Sequence, residues 1–154
     1  ESVGRLVAEK TGAFDALIRR FRRRDAIDAR DWTLLDRLDP ATHLLELRVC
    51  DPAMGSGHFL VALVDFLADR TLEAINGAQQ AVAEQPWAAH LAERGRPWTS
   101  QVAVRLSAIR SRIVANARAH GWSVTERQLD DRHIVRRMIL KRVIFGVDKN
   151  PMAV

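Results

Sequence analysis

The chain has 154 residues, a net charge of +5, 47% apolar residues and 28% charged residues, which is a globular composition rather than a disordered or fibrous one. No apolar run approaches the roughly 20 residues needed to cross a bilayer, and the N-terminus lacks a signal-peptide core. The only cysteine, Cys50, excludes an internal disulfide framework and fits a reducing compartment. We therefore expect a cytoplasmic domain with no membrane partner.

Residues 1–43 predict an N-terminal helical segment. Apolar residues there recur at steps of three and four, which is the period of an amphipathic helix. They are Val3, Leu6, Val7, Phe14, Leu17, Ile18 and Phe21. A second helix is predicted over 25–38, where Asp39-Pro40 ends it. The arginines between 19 and 24 fit either DNA phosphates or a solvated helix face.

The pattern changes at Leu44, where we place the start of a second domain, 44–154. A short apolar strand runs directly into a glycine-rich turn and then into a helical stripe. The predicted bounds are strand 44–50, loop 51–58 and helix 59–76. Asn76-Gly77 is the predicted C-terminal cap of this helix, and Cys50 is expected to be a buried apolar residue of the strand.

The rest of the chain predicts a helical insertion, a further helix and a second strand. Their bounds are 78–121, 126–141 and 142–147. Thr99 is the expected cap of the helix within the insertion, and Thr125 with Gln128 forms a capping-box pattern before the next helix. Because the two apolar strands are joined by a long helical connection, we expect them to pair in one parallel sheet. The predicted fold is a helix-dominated α/β structure.

The loop after the first strand carries the chemistry. Asp51 ends the strand, and Gly55 and Gly57 let a ligand approach the backbone. The Walker phosphate pattern is absent, and Leu60 stands where a dinucleotide motif has its third glycine. An acid beside the loop favours a ligand with a cationic amine, such as S-adenosylmethionine.

Two segments carry a family resemblance. DPAMGSGHFL, which begins at Asp51, resembles the first cofactor-binding motif of the amino-methylating DNA methyltransferases. IFGVDKNPMAV, which begins at Ile144, resembles their second motif. Together with HIVRRMILKR before the second segment, the chain most resembles the cofactor-binding part of adenine-specific methyltransferases of restriction–modification and phage-defence systems, including fused restriction–methylation enzymes.

This resemblance implies a partial Rossmann-like methyltransferase fold that binds S-adenosylmethionine. Asp51 and the backbone of the loop would hold the methionine moiety, and Asp148 would accept hydrogen bonds from the ribose hydroxyls. Lys149 or Met152 would flank the adenine. The implied cofactor-binding residues are Asp51, Pro52, Ala53, Met54, Gly55, Ser56, Gly57, Phe59, Asp148 and Lys149.

The acceptor motif of this family, N/D/S-P-P-Y/F/W, does not occur in the sequence. We therefore assign no catalytic residue to this chain, and the histidine spacing predicts no metal site. The chain is expected to be an inactive fragment of an enzyme whose partner is DNA, and to self-associate through uncovered sheet edges. Two alternatives stay open: a non-catalytic helical module for DNA binding or assembly with a vestigial cofactor loop, and a methyltransferase acting on RNA or on a protein glutamine.

Overall fold

The computed structural model describes residues 2–93 and 97–147, and these ranges are helix-dominated with one small parallel sheet. In chain order the elements are α1 (Ser2–Phe21), α2 (Ala29–Arg37), α3 (Pro40–Leu45), β1 (Val49–Asp51), α4 (His58–Ala83), α5 (Pro86–Glu93), α6 (Gln101–His120), α7 (Glu126–Leu129), α8 (Asp131–Arg142) and β2 (Ile144–Gly146). The chain divides into two compact units: Glu1–Leu44 with Glu73–Arg105, and Leu45–Leu72 with Leu106–Val154.

The first unit is held together by an aromatic core. Phe14 lies against Trp98 with ring centroids 5.3 Å apart, and Phe21 meets the edge of Trp87 at 6.3 Å. Leu35 of α2 is fully buried in the same cluster. Each such side chain removes a large apolar area from water, and this burial is the main favourable contribution to folding.

A buried carboxylate joins two helix N-termini within the first unit. Asp39 is 0% exposed. Its Oδ2 accepts hydrogen bonds from Ser100 Oγ at 2.8 Å and from the Gln101 backbone N–H at 2.7 Å, and its Oδ1 accepts from Ala41 N–H at 3.1 Å. Because the first amides of a helix have no partners inside the helix, one side chain here satisfies the starts of both α3 and α6.

The second unit contains the sheet and a ladder of ion pairs between α4 and α8. Arg132 binds both oxygens of Asp69, at 2.7 and 3.2 Å, and Arg136 Nε lies 2.9 Å from an oxygen of Asp65. Other side chains of α8 are apolar and buried: Ile134, Val135, Met138 and Ile139. The ion pairs therefore connect α8 to α4 beside this apolar face.

The predicted pairing of the two strands in a parallel sheet is confirmed. Val49 pairs with Ile144, Cys50 with Phe145, and Asp51 with Gly146. Alternate residues of a strand point to opposite faces, so Cys50 and Phe145 share one face of the sheet. Both are exposed, and the expectation that Cys50 is buried is wrong because the described residues do not cover this face.

Several predicted bounds differ from the observed ones. The strand expected over 44–50 begins only at Val49, since Leu44 and Leu45 close α3, and the strand expected over 142–147 spans Ile144–Gly146. The helix expected over 59–76 continues to Ala83, so Asn76-Gly77 is not a cap. Ser100, not Thr99, caps α6, because its Oγ accepts a hydrogen bond from Val102 N–H.

Asp130 separates the helix expected over 126–141 into α7 and α8, and its side chain caps α8. The predicted pairing of Thr125 with Gln128 is observed, since Gln128 Oε1 accepts a hydrogen bond from Thr125 N–H at 3.0 Å. Across the described ranges, no helix combines the length and the apolar character required to span a membrane.

Candidate functional site

The candidate site begins where the two strands end side by side. Beyond the Asp51–Gly146 pair, Val147 N–H donates to the Asp51 carbonyl at 2.9 Å, and Met54 N–H donates to the Val147 carbonyl at 3.2 Å. The backbone after β2 is therefore bonded to both the end of β1 and the loop that follows it. In parallel sheets the carboxyl ends of adjacent strands form the usual ligand crevice.

The side chain of Asp51 shapes the start of the loop. Its Oδ1 accepts a hydrogen bond from Ala53 N–H at 3.0 Å, which forms an Asx turn around Pro52. Among the described residues, its Oδ2 accepts no hydrogen bond. Asp51 is half-buried, so one of its oxygens holds the loop while the carboxylate stays partly accessible to solvent.

Two glycines adopt backbone conformations that side chains rarely allow. Gly55 has φ +50° and Gly57 has φ +73°, and both values lie in the left-handed region. Between them the chain turns tightly, since Gly57 N–H donates to the Met54 carbonyl at 2.8 Å. A Cβ at either glycine would meet no atom within 4 Å. Glycine is therefore favoured here by the backbone conformation of the turn, and not because a side chain would clash with a neighbour.

Helix α4 starts directly from this turn. The Gly57 carbonyl accepts the Val61 N–H at 3.0 Å, while Ser56 Oγ lies 2.6 Å from Nδ1 of His58, the first residue of α4. Phe59, which is one of the implied cofactor-binding residues, is 59% exposed. The first amides of α4 and the exposed Phe59 ring therefore lie next to the glycine turn.

Gly146 is a site residue that the sequence prediction missed. A Cβ at this position would overlap the sulfur of Met54 and would lie 3.0 Å from Cδ1 of Leu60. Met54 occupies the space that a side chain on β2 would need, so the loop after β1 rests against the end of β2. The signal was present in the sequence, because a glycine inside a strand often marks a close approach of another backbone or side chain.

Asp148 and Lys149, the second part of the predicted site, lie outside the described residues, as does Met152. The structure brings together the other predicted residues, from Asp51 to Phe59, in one turn and one helix start. In the part of the chain that the structure describes, no group of three histidine, cysteine, aspartate or glutamate side chains is placed to hold a metal ion.

Comparisons with known proteins give no assignment. No family model matches the chain, and no curated protein or solved structure matches it significantly. Any function therefore has to be argued from the residues and geometry of the site.

Proposed function

We propose that this chain is the cofactor-binding part of a Rossmann-like, S-adenosylmethionine-dependent methyltransferase that acts on the exocyclic amine of adenine in DNA. One observation carries the proposal: the hydrogen bonds of Val147 with Asp51 and Met54. Val147 directly precedes Asp148 in the sequence, and the described part of the second motif, residues 144–147, lies beside the first motif at one end of a parallel sheet. Ligands of open α/β sheets bind at that end.

The geometry of the loop supports an amine ligand. The half-buried Asp51 carboxylate has one oxygen engaged by the loop itself, and the second can accept from an ammonium group in a charge-assisted hydrogen bond. Gly55 and Gly57, both at positive φ, carry no side chain, so a ligand can approach the backbone closely at these two positions. The exposed Phe59 ring offers an apolar surface beside them.

When bound, S-adenosylmethionine supplies a methyl group on a sulfonium. The role of this chain is to bind and orient the cofactor. Asp51 holds the amino-acid end of the cofactor, and Asp148 is proposed to accept hydrogen bonds from the ribose hydroxyls. Such positioning is the main contribution to a direct methyl transfer. The sequence has no acceptor motif, so we propose that the amine to be methylated is bound by residues outside this sequence.

Binding of the cofactor product S-adenosylhomocysteine tests the proposal. In two-dimensional NMR spectra of the chain, we expect the amide signals of Ala53–Gly57 to shift in a saturable way on addition of the compound. Asp51→Asn keeps the oxygen that accepts from Ala53 but removes the charge, and we expect it to weaken binding about tenfold or more. Glu84→Gln, an equal change of charge on an exposed residue of the first unit, should leave the affinity unchanged.

Shifts confined to other parts of the chain, or equal affinities for Asp51→Asn and the unaltered protein, would contradict the proposal. Saturable binding of the compound would support the proposal, as would DNA methylation by a longer protein that contains this chain. In each case the Asp51→Asn variant should lose the effect. Loss of DNA retention with methylation intact would instead favour the non-catalytic module.

A further inference from the structure

A stacked pair of aromatic rings lies at the C-terminal end of α6, away from the glycine loop in sequence. The rings of His120 and Trp122 are 4.6 Å apart at the centroids with an angle of 25° between their planes. Trp122 is 66% exposed, although one of its faces is against His120. The other face is therefore turned to solvent, which leaves a large aromatic surface open to a ligand.

The local backbone holds this pair in place. Gly121 has φ +67°, and Trp122 N–H donates to the Ala117 carbonyl at 2.9 Å while Gly121 N–H donates to the Arg118 carbonyl at 3.4 Å. This is the Schellman arrangement that ends a helix at a glycine. His120 Nδ1 donates to the Asn116 carbonyl at 2.9 Å. Both rings thus have defined orientations before any ligand arrives.

The surroundings of the pair are basic. From Gln101 to Thr125 the sequence contains four arginines and no acid. Arg110 is used internally, since it donates to the Leu129 carbonyl at 3.1 Å and pairs with Asp131. Arg112 and Arg118 are exposed, and within the described ranges neither forms an ion pair.

Arg112, Asn116 and His120 follow one another at steps of four residues, so they share one exposed face of α6. This face spans about 12 Å from Arg112 to His120. Arginines that track a phosphate backbone beside a fixed aromatic ring are the combination that binds single-stranded nucleic acids. An apolar protein partner would not need a cationic face without acids.

We propose that His120 and Trp122 form a stacking platform for an unpaired nucleobase, with Arg112, on the same face of α6 as His120, binding a phosphate of the same single strand. The free face of Trp122 receives the base, and His120 supports the opposite face. This inference does not depend on the proposed cofactor loop, because none of its residues lies between Asp51 and Phe59.

Fluorescence and anisotropy titrations with a thymidine oligonucleotide of about twelve nucleotides test the platform. Trp122→Ala should weaken binding about 5- to 100-fold, whereas Trp122→Phe, which keeps a stacking face, should stay within about threefold of the unaltered chain. Phe66→Ala is the matched control, since Phe66 is also an exposed aromatic residue of the second unit, and it should leave affinity unchanged. An abasic oligonucleotide of equal length should bind equally to the unaltered chain and to Trp122→Ala.

The phosphate contacts are tested by the salt dependence of binding. Changing Arg112 to Ala should make the plot of log K against log salt concentration shallower by about 0.7, the value for one lost phosphate contact. The proposal is overturned if Trp122→Ala binds the oligonucleotide as well as the unaltered chain does. If the same variant also abolishes self-association in sedimentation, the two rings are instead part of an interface between two copies of the chain.

Discussion

At the scale of single residues, Gly146 matters because it has no side chain, and Asp39 matters because its carboxylate accepts hydrogen bonds inside the protein. Gly146 leaves room for Met54, so that the loop after β1 closes on the end of β2. Asp39 is fully buried and accepts hydrogen bonds from the starts of two helices. The first role needs the absence of a Cβ, and the second needs two carboxylate oxygens.

We predict that Gly146→Ala destabilises the chain by about 1–3 kcal/mol, because the new Cβ overlaps the Met54 sulfur and the loop must shift. Urea unfolding followed by circular dichroism measures the change. Met54→Ala removes the overlapping sulfur, so the double variant should be more stable than the sum of the two single changes predicts. Simple additivity would show that Met54 does not occupy this space.

We predict that Asp39→Ala lowers the free energy of unfolding by about 2–4 kcal/mol, since it removes two helix caps and leaves the buried Ser100 hydroxyl without its acceptor. The same urea titration provides the value. Asp25→Ala, a change at an exposed acid of the same unit, should alter stability by less than about 0.5 kcal/mol. Equal effects of the two variants would contradict the role of Asp39.

At the scale of elements, the ion pairs between α4 and α8 make the second unit sensitive to acid. The side-chain hydrogen bond from Arg132 lowers the pKa of Asp69 below its ordinary value, although partial burial acts in the opposite direction. A folded-state pKa below the unfolded one stabilises the fold above the unfolded value of about 4, and this stability is lost as the pH falls through the folded pKa. Both side chains are substantially exposed, so solvent screening reduces the effect.

We predict that Asp69→Asn is less stable than the unaltered chain at neutral pH and that this difference shrinks as the pH falls below about 4. Urea unfolding at a series of pH values measures it. Asp15→Asn, at an exposed position of α1, is the control and should show a much smaller difference at neutral pH. A difference between Asp69→Asn and the unaltered chain that grows on acidification would have the wrong sign for this interaction.

At the scale of the whole molecule, exposed apolar side chains are distributed unevenly between the two units. Among the described residues, the large exposed ones other than Val104 belong to the second unit. They are Phe59, Val61, Phe66, Trp122, Leu140, Phe145 and Val147. Parallel sheets are normally covered on both faces, so the face that carries Phe145 is where we expect copies of the chain to associate.

We predict that Phe145→Asp reduces concentration-dependent self-association, because a charge on the exposed sheet face opposes its burial against a second copy. Sedimentation velocity over a range of concentrations measures the effect. Val104→Asp places the same charge at an exposed apolar position of the first unit and should leave association unchanged. Association that is unaffected by Phe145→Asp would place the contact elsewhere.

The loop and the strand pairing were predictable from the sequence because their signals are local. Gly55 and Gly57 mark a turn with positive φ, and two apolar strands joined by a long helical connection favour parallel pairing. The bounds around them were not predictable in the same way. Leu44 and Leu45 lie in a short apolar run, and such a run does not distinguish a strand from a buried helix end.

The other errors arise where packing decides. Asp39-Pro40 ends the second helix as predicted, since α2 stops at Arg37, but the helix that begins at Pro40 was not predicted, although proline suits the first position of a helix. Asn76-Gly77 does not end α4, because Ala78 and Val82 beyond it are buried in the core of the first unit. Cys50 is exposed because the described residues do not cover its face of the sheet, and a local sequence pattern does not indicate what packs against a sheet face.

The exposure of Cys50 provides a native chemical reporter. It is the only thiol of the chain, it is accessible, and it pairs in register with Phe145. An alkylating reagent can therefore modify each molecule at one known position without any engineered tag. Because the thiol and the Phe145 ring share a face, a partner that packs on that ring should slow the alkylation of Cys50. The rate constant of alkylation therefore reports whether this face of the sheet is bound.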